Sequence, residues 1–161
     1  MAVVPETVKY LTDLAIKRHE AGEKTVDVLN TRLAALFAFN SFIIPSGTNA
    51  IHAALKDKSP FGMPKMLLLI LWCLPLVGGA VACVLGYLAG RTPTLPNPAK
   101  VYGEFASQNL EVVGAQIIAN LEASWGNLKG IATFKGTCLN TGLLFLLLEF
   151  CVLVFAFLGT Q

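Results

Sequence analysis

Glu149 is the residue whose type and position raise a chemical question first. It stands in the middle of the apolar run LLFLLLEFCVLV and is the sole formal charge after Lys135. A carboxyl group at hydrocarbon depth is costly, and such groups face a protein interior, a water-filled cavity or another subunit. Three roles are open to it: an interhelical hydrogen bond that fixes packing, an ion or proton path or pore lining, and a tolerated place at an interface. Asn40 is its natural counterpart. Counted from Val28, Asn40 lies about 18 Å along a first apolar helix, and Glu149 lies about 21 Å beyond Lys135 along a last one. Both helices run in the same sense, so the two side chains reach similar depth. Asn127 and Asn140 add polarity nearer the start of that last segment.

The other reactive residue types form no catalytic pattern. Cys73, Cys83, Cys138 and Cys151 all lie inside apolar runs, unpaired by any CxxC spacing, and read as small packing side chains. His19 and His52 stand in different segments, which leaves no ligand set for a metal. Glu104, Glu111 and Glu122 share a loose face without histidine or a paired Asp and read as solvated surface. No GxSxG, Walker, HExxH or GxGxxG pattern is present, and Gly78-Gly79 has no strand before it to make a phosphate cradle. The expectation is a protein that is not an enzyme and has no cofactor. A net charge of +2 without an Arg/Lys stripe excludes a nucleic-acid partner, and Tyr102 and Trp125 read as packing or headgroup contacts.

The elements that must position Glu149 and Asn40 are membrane spans. Apolar residues make up 55% of the 161-residue chain and charged residues 14%, well below the charge of a soluble domain. Residues 66–90 carry no formal charge, and Arg91 closes the run; the stretch is long enough for about 30 Å of hydrocarbon. Pro75 should kink it. Residues 137–159 form a second clear span. Residues 28–45 form a shorter one, in which Arg32 snorkels to an interface and Pro45 with Gly47 is expected to end the helix. Gly78, Ala82, Gly86 and Gly90 recur every fourth residue and align small side chains on one face, which permits close approach of another helix, in the same chain or in another copy.

Between the spans, residues 1–27 read as an amphipathic helix with Val8, Leu11, Leu14 and Ala15 opposite Lys9, Asp13 and Lys17. The cluster Lys17, Arg18, His19, Glu20, Glu23 and Lys24 reads as a solvated face. Residues 46–65 form a connection with a helical turn or two at 49–57. After the proline-rich TPTLPNP, residues 99–130 resume helical spacing with Val101, Phe105, Leu110, Val113, Ile117, Leu121 and Leu128 on one face, compatible with a coiled-coil seam. The N-terminal stretch lacks the pattern of a cleaved signal peptide, so the first span is expected to act as the targeting signal.

The fold class expected is thus an all-α integral membrane protein with three transmembrane helices, an N-terminal amphipathic helix and a long cytoplasmic helix within 91–136. Nine of the twelve basic residues fall in segments 1–32 and 91–135, which places the N-terminus and the long helix in the cytoplasm and the 46–65 connection outside. A small unit with a glycine face, an intramembrane Glu and amphipathic helices is expected to form a homo-oligomer in the lipid bilayer.

This layout resembles the membrane effectors of bacterial pyrimidine-cyclase antiphage systems, over roughly residues 8–158. That family's first span opens with a D-x-K-A-like pattern and contains an Asn further in. Here the corresponding positions are Asn30-Thr31-Arg32-Leu33, followed by Asn40, with Asn30 in the place of Asp and Leu33 in the place of Ala. The basic residue and Leu that precede the family's final span are matched by Lys135 and Leu139 in KGTCLNTG. The resemblance implies a signal-responsive effector of the bacterial inner membrane that impairs membrane integrity when a cyclic pyrimidine mononucleotide appears. No dedicated nucleotide-binding domain is visible, so that ligand would use the cytoplasmic helices or a separate protein. The other functions open are an accessory or scaffold membrane subunit and a small ion or solute transporter. The transporter is disfavoured by the lack of an internal repeat.

Overall fold

The computed structural model describes residues 5–56, 64–90 and 110–158. They form three helices: α1 (Pro5–Lys56), α2 (Lys65–Leu88) and α3 (Leu110–Leu158). All three are long and apolar enough to cross a membrane by length and composition. α1 and α3 measure 52 and 49 residues, or about 75 Å each, roughly twice what a hydrocarbon core requires.

Two of these helices are longer than the sequence suggests. The amphipathic segment and the first span are one helix, as are the second amphipathic segment and the last span. Pro45 and Gly47 do not end α1, which continues to Lys56. Proline is tolerated inside membrane helices where neighbouring hydroxyls and helices re-satisfy the backbone. The carbonyl that Pro45 leaves without its i−4 donor is that of Ser41; nearby, the hydroxyls of Ser41 and Thr48 donate to the carbonyls of Phe37 and Ile44 at 2.9 and 2.7 Å. Residues 57–63, the proline-rich connector and residues 99–109 of the expected long helix lie outside the described residues.

A seven-residue repeat of burial accounts for the continuity. In α3, Gly114, Leu121, Leu128, Lys135, Gly142, Glu149 and Ala156 are all buried. In α1 the buried line is His19, Val26, Leu33, Asn40 and Gly47, beside Ala15, Gly22 and Leu36. A strict heptad seam of this kind keeps one stripe of each helix against its neighbours over many turns. The Gly126, Gly130 and Gly136 positions have nothing within 4 Å of an added methyl, so they cost helix propensity without serving close packing.

By their contacts the residues divide into two units. The first comprises Met1–Val28 and Gly90–Thr133, the second Leu29–Ala89 and Phe134–Gln161. In the first, α1 and α3 run parallel: Gly114 meets Val8, and a methyl at Gly22 would stand 2.8 Å from the Trp125 ring and 3.2 Å from Leu128. Leu121 and Leu128 are buried there with Ala15 and Val26. The expected face of the long helix is therefore the packed one where it is described. The expected face of the N-terminal segment is packed only in part: Ala15 is buried and Val8 meets Gly114. Leu11 and Leu14 are exposed, and the buried line passes through His19.

The second unit is a three-helix bundle in which α2 runs antiparallel to both α1 and α3. Leu33, Leu36, Cys83, Cys138 and Leu139 form one apolar cluster. Ile51, Leu68, Trp72 and Ala156 form another, with Ile43, Leu76, Val152 and Leu153 against it. Outward lies a continuous apolar surface, including Phe37 and Phe42 on α1, Leu71, Leu74 and Val81 on α2, and Leu144, Leu147 and Phe150 on α3. A soluble unit of this size does not expose so much apolar side chain; hydrocarbon is the solvent that fits it.

Candidate functional site

Between the two apolar clusters lies one polar layer. Asn40 of α1 is 3% exposed and Glu149 of α3 is 1% exposed, and both point at Gly79 of α2. A methyl group added at Gly79 would stand 2.8 Å from Asn40 Nδ2, 3.4 Å from Phe145 Cβ and 3.8 Å from Glu149 Oε1. Only glycine leaves the room in which the amide and the carboxyl approach each other. Neither amide atom and neither carboxyl oxygen has a hydrogen-bond partner in the protein. Unpaired buried polar groups are uncommon and expensive.

The small-residue face is used inside the chain. The Phe145 ring covers Gly78 at 2.8 Å from an added methyl. Ala82 is buried. Gly86 takes Cys138 Cβ at 2.8 Å and the Leu33 methyls at 3.0 and 3.1 Å on the same basis. Gly142 of α3 answers from the other side, where an added methyl would lie 2.7 Å from Leu36 and 3.4 Å from Cys83 Sγ. Gly90 is also closely approached, with Ile131 2.8 Å from an added methyl, but from beyond the helix. It follows the end of α2, with φ of 74°, the left-handed conformation that glycine adopts to terminate a helix. Gly79, which the every-fourth-residue spacing passes over, takes a place on the packed face.

Lys135 lies one and two heptads from Gly142 and Glu149 on the same stripe. It is 1% exposed, and its Nζ donates to the carbonyl oxygens of Gly86 and Tyr87 at 2.8 and 3.3 Å. Those carbonyls belong to the last turn of α2, where no intrahelical donor remains. The ammonium therefore caps the C-terminus of α2 and meets the negative end of its dipole. Of the other positions that carry the family resemblance, Leu139 is buried in the first apolar cluster, Arg32 is exposed, and Asn30 is half-buried with an unpartnered Oδ1.

In the first unit, His19 is buried, which corrects its reading as part of a solvated face. Its Nε2 shares a hydrogen bond of 2.9 Å with Ser124 Oγ, and Glu23 lies 3.9 Å from Nδ1. Ser124 sits within a helix whose backbone N–H groups are engaged, so no oxyanion donors accompany it, and the pair serves packing. The rest of that cluster is exposed or half-exposed. Its one polar bond across the helices joins Arg18 to Glu122 at 3.1 Å. Among the described residues no three His, Cys, Asp or Glu side chains gather as a metal would require, and the four cysteines are free.

Counting residues along apolar helices places Asn40 and Glu149 at similar depth, and in the structure both border Gly79. Lys135 and His19 were legible in principle from the heptad stripe that holds them. No family model, no curated protein and no solved structure matches this chain.

Proposed function

We infer that this integral membrane protein is a signal-responsive oligomeric effector that impairs the bilayer. The observation that carries the reading is the inversion of polarity in the second unit. Apolar side chains face outward on all three helices, while Asn40, Glu149 and Lys135 are turned inward. A unit of three helices leaves most of its apolar surface to lipid or to further copies of itself, and membrane helices associate through such faces by close packing. The layout shared with effectors of pyrimidine-cyclase antiphage systems supplies the rest: a bacterial inner membrane, a cytoplasmic N-terminus and a cyclic pyrimidine mononucleotide as trigger. Gly78, Ala82 and Gly86 are spent within the chain, so assembly would use the outward faces of α2 and α3.

Reconstitution into dye-loaded liposomes tests this. Leakage should appear on adding a cyclic pyrimidine mononucleotide and rise faster than linearly with the protein-to-lipid ratio. Silence with every nucleotide, at every ratio, sinks the effector reading. An accessory membrane subunit then becomes the better one, and the inward use of the glycine face favours it, since that face would otherwise be the natural place for self-association.

A further inference from the structure

The polar layer between the two apolar clusters is built as a site. Four polar atoms, both of the Asn40 amide and both oxygens of Glu149, are buried without a partner in the protein. They come from two helices, and one atom of each side chain, Asn40 Nδ2 and Glu149 Oε1, borders the space kept open by Gly79 of the third. The charges around them are few. α2 carries none after Lys65, and α3 carries none beyond Lys135 but Glu149 itself. The Lys135 Nζ is engaged by the carbonyls of Gly86 and Tyr87. Along α1 the nearest ionisable groups are Arg32, His52 and Asp27, all exposed. The thiols of Cys83 and Cys138 lie in the cluster on one side.

An ionised Glu149 in this interior would be an uncompensated charge, which a low-dielectric environment penalises heavily. One unit of positive charge neutralises it. A divalent ion would leave a net charge of the opposite sign in the same place. Carboxylate and amide oxygens are hard ligands, suited to a proton or a hard cation. The geometry points to the Asn40–Gly79–Glu149 layer as a binding site for a single monovalent positive charge, either a proton or an alkali-metal cation. An alkali-metal cation is held by both Glu149 oxygens and Asn40 Oδ1, whereas a proton sits on one Glu149 oxygen and is donated to Asn40 Oδ1; in either case a half-turn of the amide presents Oδ1 to the carboxyl group. The site rests on the interior of the bundle and not on the effector reading, so a failure of the leakage assay leaves it standing.

Thermal unfolding of the full chain in nanodiscs decides the matter, in choline, sodium and potassium chloride at constant ionic strength and from pH 5 to 9. A bound alkali-metal cation raises Tm over choline by about 3–5 °C for each tenfold step above half-saturation. A bound proton makes Tm indifferent to the salt and lowers it as pH rises, because the folded state then holds a proton that the unfolded chain releases. Glu149→Gln removes whichever dependence the wild type shows, and it melts at or above the wild type without ligand. Asn40→Ala, which keeps the carboxylate, shifts the midpoint at least tenfold toward higher cation or proton concentration. It serves alone should Glu149→Gln not fold. A wild type flat in both salt and pH overturns the site, and so does a dependence that survives either substitution unchanged.

Discussion

His19 and Glu149 are buried to the same 1%, yet one has found a neighbour and the other has not. His19, in the first unit, shares a hydrogen bond with Ser124. Glu149, in the second, faces an amide that is itself without a partner. Both stand on the inward heptad stripe of a long helix, where one polar residue fixes register at a cost in stability. The difference follows the surroundings. In the first unit polar side chains are plentiful and a hydroxyl is at hand. In the second the middle of the bundle faces outward mainly with apolar side chains, and the polar groups buried there must be satisfied by backbone, by each other or by something bound. Polarity in the first unit is thus explained by packing alone, whereas in the second it is explained fully for Lys135 only.

The largest effect should come from where the second unit is tightest. Gly86→Leu places a branched side chain where even a methyl would lie 2.8 Å from Cys138 Cβ. The Leu33 methyls can turn aside, but Cys138 Cβ is fixed to its backbone, so α2 and α3 must move apart. We expect a loss of at least about 3 kcal/mol, seen as a collapse of thermal stability in nanodiscs. A variant that melts within a few degrees of the wild type would mean that the Leu33–Gly86–Cys138 layer is loose. Gly126→Leu, with nothing within 4 Å of an added methyl, is the control, and it should be neutral or slightly stabilising.

Lys135→Met comes next. It keeps the length of the side chain but leaves the Gly86 and Tyr87 carbonyls without their donor. Hydrogen bonds from charged donors contribute roughly 1.5–3 kcal/mol each. Part of that is recovered because no ammonium need be desolvated, so a net loss of about 2 kcal/mol is expected. Hydrogen exchange should speed up at the C-terminal turn of α2 before anywhere else in the bundle. If exchange there is unchanged, Lys135 is not the cap.

Three helices apolar enough to cross a membrane followed from run lengths, but the amphipathic helices expected as separate elements are continuous with the first and last of them. The rise per residue set Asn40 and Glu149 at similar depth, and both stand against Gly79. What did not follow had local causes. Proline and glycine at 45 and 47 are stop signals in water, but α1 carries a buried stripe straight past them. Gly90 is closely packed, against Ile131, but spacing cannot distinguish a helical glycine from one that lies past the end of the helix with a positive φ. Lys135 read as a flanking charge because a terminal carbonyl that needs a donor leaves no mark in the donor's own neighbourhood. Writing α3 in sevens, Gly114-Leu121-Leu128-Lys135-Gly142-Glu149-Ala156, sets Lys135 and Glu149 on the same buried line.

The His19–Ser124 bond should matter less than the lysine cap. Ser124 is half-buried, so the bond is only partly shielded. His19→Leu and Ser124→Ala, combined in a double-mutant cycle, should give a coupling of about 1 kcal/mol. A coupling near zero would mean that the first unit, too, buries its polar groups at a net loss, and the contrast with the second unit would disappear.

Arg18→Ala should have the smallest effect, and for that reason it sharpens the contrast most. The Arg18–Glu122 pair is well placed at 3.1 Å, but its side chains are 54% and 48% exposed. Water screens such a pair, and ordering two long side chains offsets most of the Coulomb gain, so exposed pairs give about 0.2–1 kcal/mol. We expect a loss under about 0.5 kcal/mol that fades as salt is raised past the screening range. Leu128→Ala, by comparison, empties a fully buried position that packs toward Gly22 and should cost about 2–5 kcal/mol regardless of salt. If the two rank this way, the first unit is held by its apolar stripe, with polar bonds only selecting the register. If Arg18→Ala proves the more damaging and its effect is salt-dependent, electrostatics hold the first unit together, and it differs from the second in the force that binds it as well as in how it satisfies its polar groups.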